Sequence, residues 1–260
     1  MLTEVLAGSP IADLGLLQIA GIAFVVFVAA LLRGYAGFGS SLLMVPVLAL
    51  AIGPKAAVAI SLLLEGLATM MLVPSSLKYA NRGTLRTMGP AAVLGIPFGH
   101  LALISLDPSL TNVAISAAVT VMAAMVWRNK TIGLPRGTGA QVGVGLTSGF
   151  LTGFGSVGGP PLVLYILASS DSAIHKRADV IVVAGISQAA GIASMIVFGV
   201  LTLGGATSAL LLAPIFFGGG VLGARLFRLS SERAYQRIAL GALFISAVTL
   251  MIINLTRLFW

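Results

Sequence analysis

The sequence contains no cysteine and only two histidines, His100 and His175. Without thiols there is no disulfide framework, no thiolate metal site and no cysteine nucleophile. Two separated imidazoles do not make a His-based metal cluster, so neither a metal nor another cofactor is expected. Charge is equally scarce. Only 8% of the 260 residues are Asp, Glu, Lys or Arg and 58% are hydrophobic, whereas a soluble chain carries roughly 25% charged residues. So few charges cannot clothe a surface that faces water, and lipid must be the solvent for most of the chain. The segment Met1–Asp13 carries Glu4 and Asp13 but no Lys or Arg. It lacks the basic start of a signal peptide, so the first apolar run is expected to be retained.

What is abundant is glycine, with 32 residues, a composition suited to membrane helices whose backbones approach closely. The net charge of +8 and pI near 10.6 do not signal nucleic acid. The basic residues sit singly or in small groups between apolar runs, whereas a nucleic-acid binder gathers them on one face.

Ten apolar stretches can be read, at 14–32, 40–53, 56–74, 87–106, 110–127, 140–153, 157–170, 180–203, 207–227 and 236–255. A full span needs about 20 residues, and three of the stretches (40–53, 140–153 and 157–170) fall short. Each short stretch abuts a break, Gly37-Phe38-Gly39-Ser40 or Gly153-Phe154-Gly155-Ser156. The expected architecture is an all-α polytopic membrane protein with six full helices and two glycine-broken helical hairpins. With the N-terminus on the periplasmic side, inner loops collect Lys78, Arg82, Arg86, Arg128, Lys130, Arg136, Lys176, Arg177, Arg225, Arg228, Arg233 and Arg237. Only Lys55 and Arg257 fall outside, with Arg33 at the first break. Basic residues favour the cytoplasmic side, so this orientation is the expected one. The stretch 127–139 reads as a linker between an N-terminal half, 1–130, and a C-terminal half, 131–260.

The two Gly-Phe-Gly-Ser breaks lie 116 residues apart, and Pro90, Gly95 and Gly99 share their spacing with Pro214, Gly219 and Gly223, 124 residues on. Two ordered matches point to a duplication. Each half then holds one hairpin and three spans, and an odd number of crossings inverts the second half. Inverted repeats with broken helices are the architecture of secondary transporters, with a substrate site near the midplane. Ser40 and Ser41 are expected to cap the helix after the first break, and Pro160 or Pro161 suits a first helical turn. Upstream glycines can take positive φ. Two helix N-termini aimed into the interior would make an anion site, although such glycines also serve plain helix packing. The Gly95/Gly99 and Gly219/Gly223 pairs could likewise serve a homodimer face or internal packing.

The stretches Gly34-Tyr-Ala-Gly-Phe-Gly-Ser-Ser-Leu-Leu-Met-Val-Pro46 and Gly149-Phe-Leu-Thr-Gly-Phe-Gly-Ser-Val-Gly-Gly-Pro-Pro161 resemble the TauE/SafE family of membrane transporters, and the likeness runs from about residue 14 to 255. The resemblance implies an anion transporter of the bacterial inner membrane, for sulfite, an organosulfonate such as sulfoacetate, or a small carboxylate. The substrate-binding candidates are Arg33, Gly37, Phe38, Gly39, Ser40 and Ser41 in the first half. In the second they are Gly153, Phe154, Gly155, Ser156, Gly158, Gly159, Pro160 and Gln188.

Glu65 falls at the middle of the 56–74 stretch. An intramembrane carboxylate is expensive unless paired, protonated or hydrated, and is functional by default; a protonatable group there suits proton coupling. A static ion pair with Arg33 is the alternative. Arg33 itself either faces the site, where its fork matches an oxyanion, or anchors a cytoplasmic helix end. His100 could relay protons or simply hydrogen-bond a neighbouring helix. Gln188 is a polar contact to substrate or interhelical glue. Tyr35 and Phe38 could line the site or pack, and His175 sits in a solvated loop. No Gly-x4-Gly-Lys-Ser/Thr loop appears, so a gradient should supply the energy. A passive channel is the rival reading, and a membrane-embedded enzyme using Ser40, Ser156 or Glu65 a more distant one.

Overall fold

The computed structural model describes residues 9–12, 14–36, 39–127 and 137–229, and these are helical with no strands among them. The helices in chain order are α1 (Leu16–Ala36), α2 (Ser40–Ile52), α3 (Pro54–Met70), α4 (Val73–Ser76), α5 (Arg82–Ser105), α6 (Pro108–Trp127), α7 (Thr138–Gly155), α8 (Gly159–Leu167), α9 (Ala173–Val197) and α10 (Leu203–Leu229). The expected last span, 236–255, and most of the 127–139 linker lie outside the described residues, as do Gly37 and Phe38.

The exterior is apolar as well as the core, unlike that of a soluble protein. Large apolar side chains such as Phe24, Leu94, Phe98, Leu203 and Leu210 are exposed, while Ser40, Ser61, Glu65, His100 and Ser148 are buried. Among the described residues four helices are long and apolar enough to cross a membrane: Leu16–Gly34, Arg82–Ser105, Ile174–Val197 and Leu203–Leu226. Pro54–Met70 and Val73–Tyr79 are long and apolar enough only as a pair bent by 47°, a broken span or a re-entrant loop. The stretch 56–74, expected as one run, is therefore bent. Pro74 sits in the first turn of α4, where its missing N–H cannot continue the ladder of α3.

The breaks fall where the glycines are. The 13 residues of α2 and nine of α8 reach about 20 and 14 Å at 1.5 Å per residue, short of a ~30 Å hydrocarbon layer. The stretch 140–153, expected to be short, extends instead to the 18 residues of α7. α3 is central, its residues Ala57 to Leu62 all buried.

Two helix pairs cross between the sequence halves with their backbones nearly touching. α5 lies along α7: a Cβ added to Gly95 would stand 2.3 Å from the Leu146 carbonyl oxygen, and one on Gly99 2.1 Å from that of Phe150. From the other side, a Cβ on Gly149 would come within 2.0 Å of the Ala92 oxygen. α1 lies along α10 in the same fashion: a Cβ added to Gly34 would stand 2.0 Å from the Gly220 oxygen, and one on Gly219 2.6 Å from that of Phe27. The spaced glycines Gly95, Gly99 and Gly219 are thus occupied in internal packing. In each pair the opening helix of one half meets the Pro-x4-Gly helix of the other.

Candidate functional site

The two breaks open on one cavity of about 70 Å³, lined from both halves. A water needs roughly 10–15 Å³ by the same measure, so the space suits a few waters or one small oxyanion. Its walls include Arg33 from α1, Gly39 and Ser41 at the start of α2, and Glu65 and Thr69 from α3. The second half contributes Ser148, Thr152, Ser156, Gly158, Gly159, Pro160, Ser187 and Gln188.

At the first break Gly39 takes φ 92°, a left-handed conformation, and Ser40 and Ser41 become the first residues of α2 with no side-chain cap of their own. They do not cap the helix as the sequence suggested, because the left-handed Gly39 occupies the capping position. The cap comes from α3. Glu65 Oε1 accepts the Ser41 N–H at 2.9 Å and the Ser40 hydroxyl. A carboxylate is the natural partner for unpaired N–H groups and the positive end of a helix dipole.

The Arg33 guanidinium completes the cluster. Its Nη1 stands 3.5 Å from Glu65 Oε1, with the side chains 16% and 6% exposed respectively. Its Nη2 donates to Thr69 Oγ1 at 2.5 Å, and the Thr69 hydroxyl donates to the Glu65 carbonyl at 2.8 Å. α1 continues to Ala36, beyond the expected end at residue 32, and carries Arg33 inward to the cavity rather than leaving it as an anchor. Arg33 is therefore both the ion-pair partner of Glu65 and a wall of the cavity.

The second break is built differently. Ser156, and no glycine, takes the left-handed position, at φ 55°. It ends α7 with its N–H on the Thr152 carbonyl at 2.9 Å, and Val157 N–H reaches Leu151 at 3.1 Å. Ser148 Oγ donates to the Gly158 carbonyl at 2.6 Å. A Cβ on Gly158 would stand 2.1 Å from the Ser148 oxygen, whereas one on Gly159 would meet nothing within 4 Å. Proline occupies the first turn of α8, as expected, but Pro160 and Pro161 bring no N–H. Gly159 is left as the one first-turn donor. Ser156 Oγ and Gln188 Oε1, both buried, have no hydrogen-bond partner.

Of the expected site residues, Arg33, Gly39, Ser41, Glu65, Ser156, Gly158, Gly159, Pro160 and Gln188 come together on the cavity, with Ser40 behind them on Glu65. Gly153, Phe154 and Gly155 serve packing: Gly153 lies against the Ile96 carbonyl, Phe154 is buried and stacks on Phe150 at 5.8 Å, and Gly155 abuts Ile115. His100 is fully buried away from the cavity lining, with Nδ1 2.8 Å from Ser194 Oγ and Nε2 without a partner. His175 is exposed beside Ser172. Thr69, Ser148, Thr152 and Ser187 line the cavity without having been singled out. Their signal was in the spacing: Glu65–Thr69 and Ser148–Thr152–Ser156 each step by four along one helix face. Among the described residues no three His, Cys, Asp or Glu side chains cluster as metal ligands would.

The family model described as Sulfite exporter TauE/SafE covers residues 22–250. No curated protein and no solved structure matches the chain.

Proposed function

Because this chain belongs to the Sulfite exporter TauE/SafE family, a family of membrane exporters and not of enzymes, we propose that it is a secondary transporter moving a small anion across the bacterial inner membrane. The substrate class is sulfite, an organosulfonate such as sulfoacetate, or a small carboxylate. The N-terminus lies on the periplasmic side, and the halves 1–130 and 131–260 are inverted repeats that alternate access to the shared cavity. Glu65 couples the cycle to protons. The crosswise packing supports this reading, since α1 on α10 and α7 on α5 are the pairings a two-fold relation between halves requires. The observation that carries the reading is the Arg33 guanidinium beside the N-terminus of α2, both facing one cavity. A buried cation with helix N–H groups is a site for negative charge.

The test is uptake of labelled sulfite, sulfoacetate, oxalate and acetate into proteoliposomes, with and without an imposed pH gradient. Saturable, uphill, gradient-driven accumulation of one of these anions is expected. Glu65→Gln should abolish the response to the pH gradient. Downhill flux alone would make the protein a channel, and no flux in folded, inserted protein would overturn the assignment to these anions.

A further inference from the structure

We propose that the Glu65 carboxylate is a tethered stand-in for the transported anion: it holds the donors that the substrate itself must take, and cedes them when protonated. The inference rests on the anion-transport reading of the cavity and adds how substrate and proton share it.

Two hydrogen-bond donors and one cation converge on a single oxygen. Glu65 Oε1 receives the Ser41 N–H and the Ser40 hydroxyl and stands 3.5 Å from Arg33. A sulfonate, sulfite or carboxylate oxygen would seek the same set. The second break offers no equal alternative, because Pro160 and Pro161 remove two of its first-turn N–H groups. Its Ser156 hydroxyl and Gln188 amide are neutral groups that can complete a substrate's coordination without balancing its charge.

Charge balance decides the order of events. Among the described residues, Arg33 and Glu65 are the only charged ones on the cavity lining. The residues from α2, α7, α8 and α9 there are all uncharged, α4, α5, α6 and α10 contribute none, and His100 of α5 is turned to Ser194. With Glu65 ionised the pair is neutral, and an entering anion would leave one uncompensated negative charge in a buried space, which is costly. With a proton from bulk water on the Glu65 carboxylate, Arg33 and the substrate form the neutral pair. Proton and anion are therefore bound together, and a monovalent anion crosses without net charge.

The experiment measures binding of labelled methanesulfonate and acetate, monovalent anions whose charge is constant from pH 6 to 8, to purified wild type and Glu65→Gln. Size-exclusion chromatography verifies that both are folded. For wild type the dissociation constant should rise by up to about tenfold per pH unit, as one-proton linkage requires. For Glu65→Gln, whose amide does not titrate, it should change less than about twofold over the same range. In weakly buffered solution wild type should also take up about one proton per anion bound, a readout that needs no variant. Binding with equal pH dependence in both proteins, loss of binding only in Glu65→Gln, or binding without proton uptake would overturn the inference and leave the anion site standing. Binding of neither anion at any pH would overturn the anion reading and the inference with it.

Discussion

Glu65 caps a helix to which it does not belong: its Oε1 accepts the Ser41 N–H at 2.9 Å, joining α3 to the first turn of α2. The same oxygen faces Arg33 at 3.5 Å. A single carboxylate thus links three helices, and changes to its partners should be felt in stability and in transport together.

Arg33→Ala should leave Glu65 buried without its cation. Breaking a buried pair from one side costs about 3–5 kcal/mol, and the thermal unfolding midpoint in detergent should fall accordingly. Arg33→Lys keeps the charge but loses the fork that reaches Glu65 and Thr69 at once. Its midpoint should recover most of the loss while anion uptake stays well below wild type.

Ser156→Gly should separate folding from binding. A non-glycine residue in the left-handed region costs on the order of 1 kcal/mol, so glycine at this φ of 55° should raise the unfolding midpoint slightly. Anion affinity should drop up to about tenfold, the worth of one hydrogen bond. Equal affinity would remove Ser156 from the site.

Gly99→Ala puts a methyl group 2.1 Å from the Phe150 carbonyl oxygen, where α5 and α7 meet. Backbone cannot yield as a side chain does, and a cost of about 3 kcal/mol is expected, visible as loss of monodisperse protein. Gly143→Ala, also in α7 but with nothing within 4 Å of its added Cβ, should instead stabilise by about 0.5–1 kcal/mol through helix propensity.

Asp179→Ala should loosen the start of α5. Asp179 is buried, and its Oδ1 accepts the Asn81 N–H at 2.6 Å. The Asn81 side chain in turn accepts the Gly83 N–H at 2.8 Å. Leaving the Asn81 N–H without its acceptor costs about 1–3 kcal/mol, and amide exchange at residues 81–85 should quicken while α1 is unaffected.

Much of this was legible in the chain because lipid imposes strong rules. The helical class follows from the composition, since backbone polar groups must be satisfied within each segment. Glycine before a short apolar run placed both breaks, and Glu65 stood out as a carboxylate in mid-span. The capping of α2 was not legible, because it depends on a contact between residues 24 apart. Nor could sequence tell Gly158, which must be glycine to pass Ser148, from Gly153, which lets α7 reach α5. Both are glycines in one motif, and only their neighbours differ. The left-handed Ser156 was hidden for a related reason, since glycines on either side were the better candidates for positive φ.

The contact of Gly34 with Gly220, and of Gly99 with Phe150, means that the chain is mechanically divided otherwise than it is written. Cutting near residue 130 would separate α1 from α10 and α5 from α7, the closest backbone neighbours each has. These pairs act as struts, too tight for one backbone to slide past the other. Two fragments made separately would each lack one rail of both struts, and neither could assemble until it had interlocked with the other.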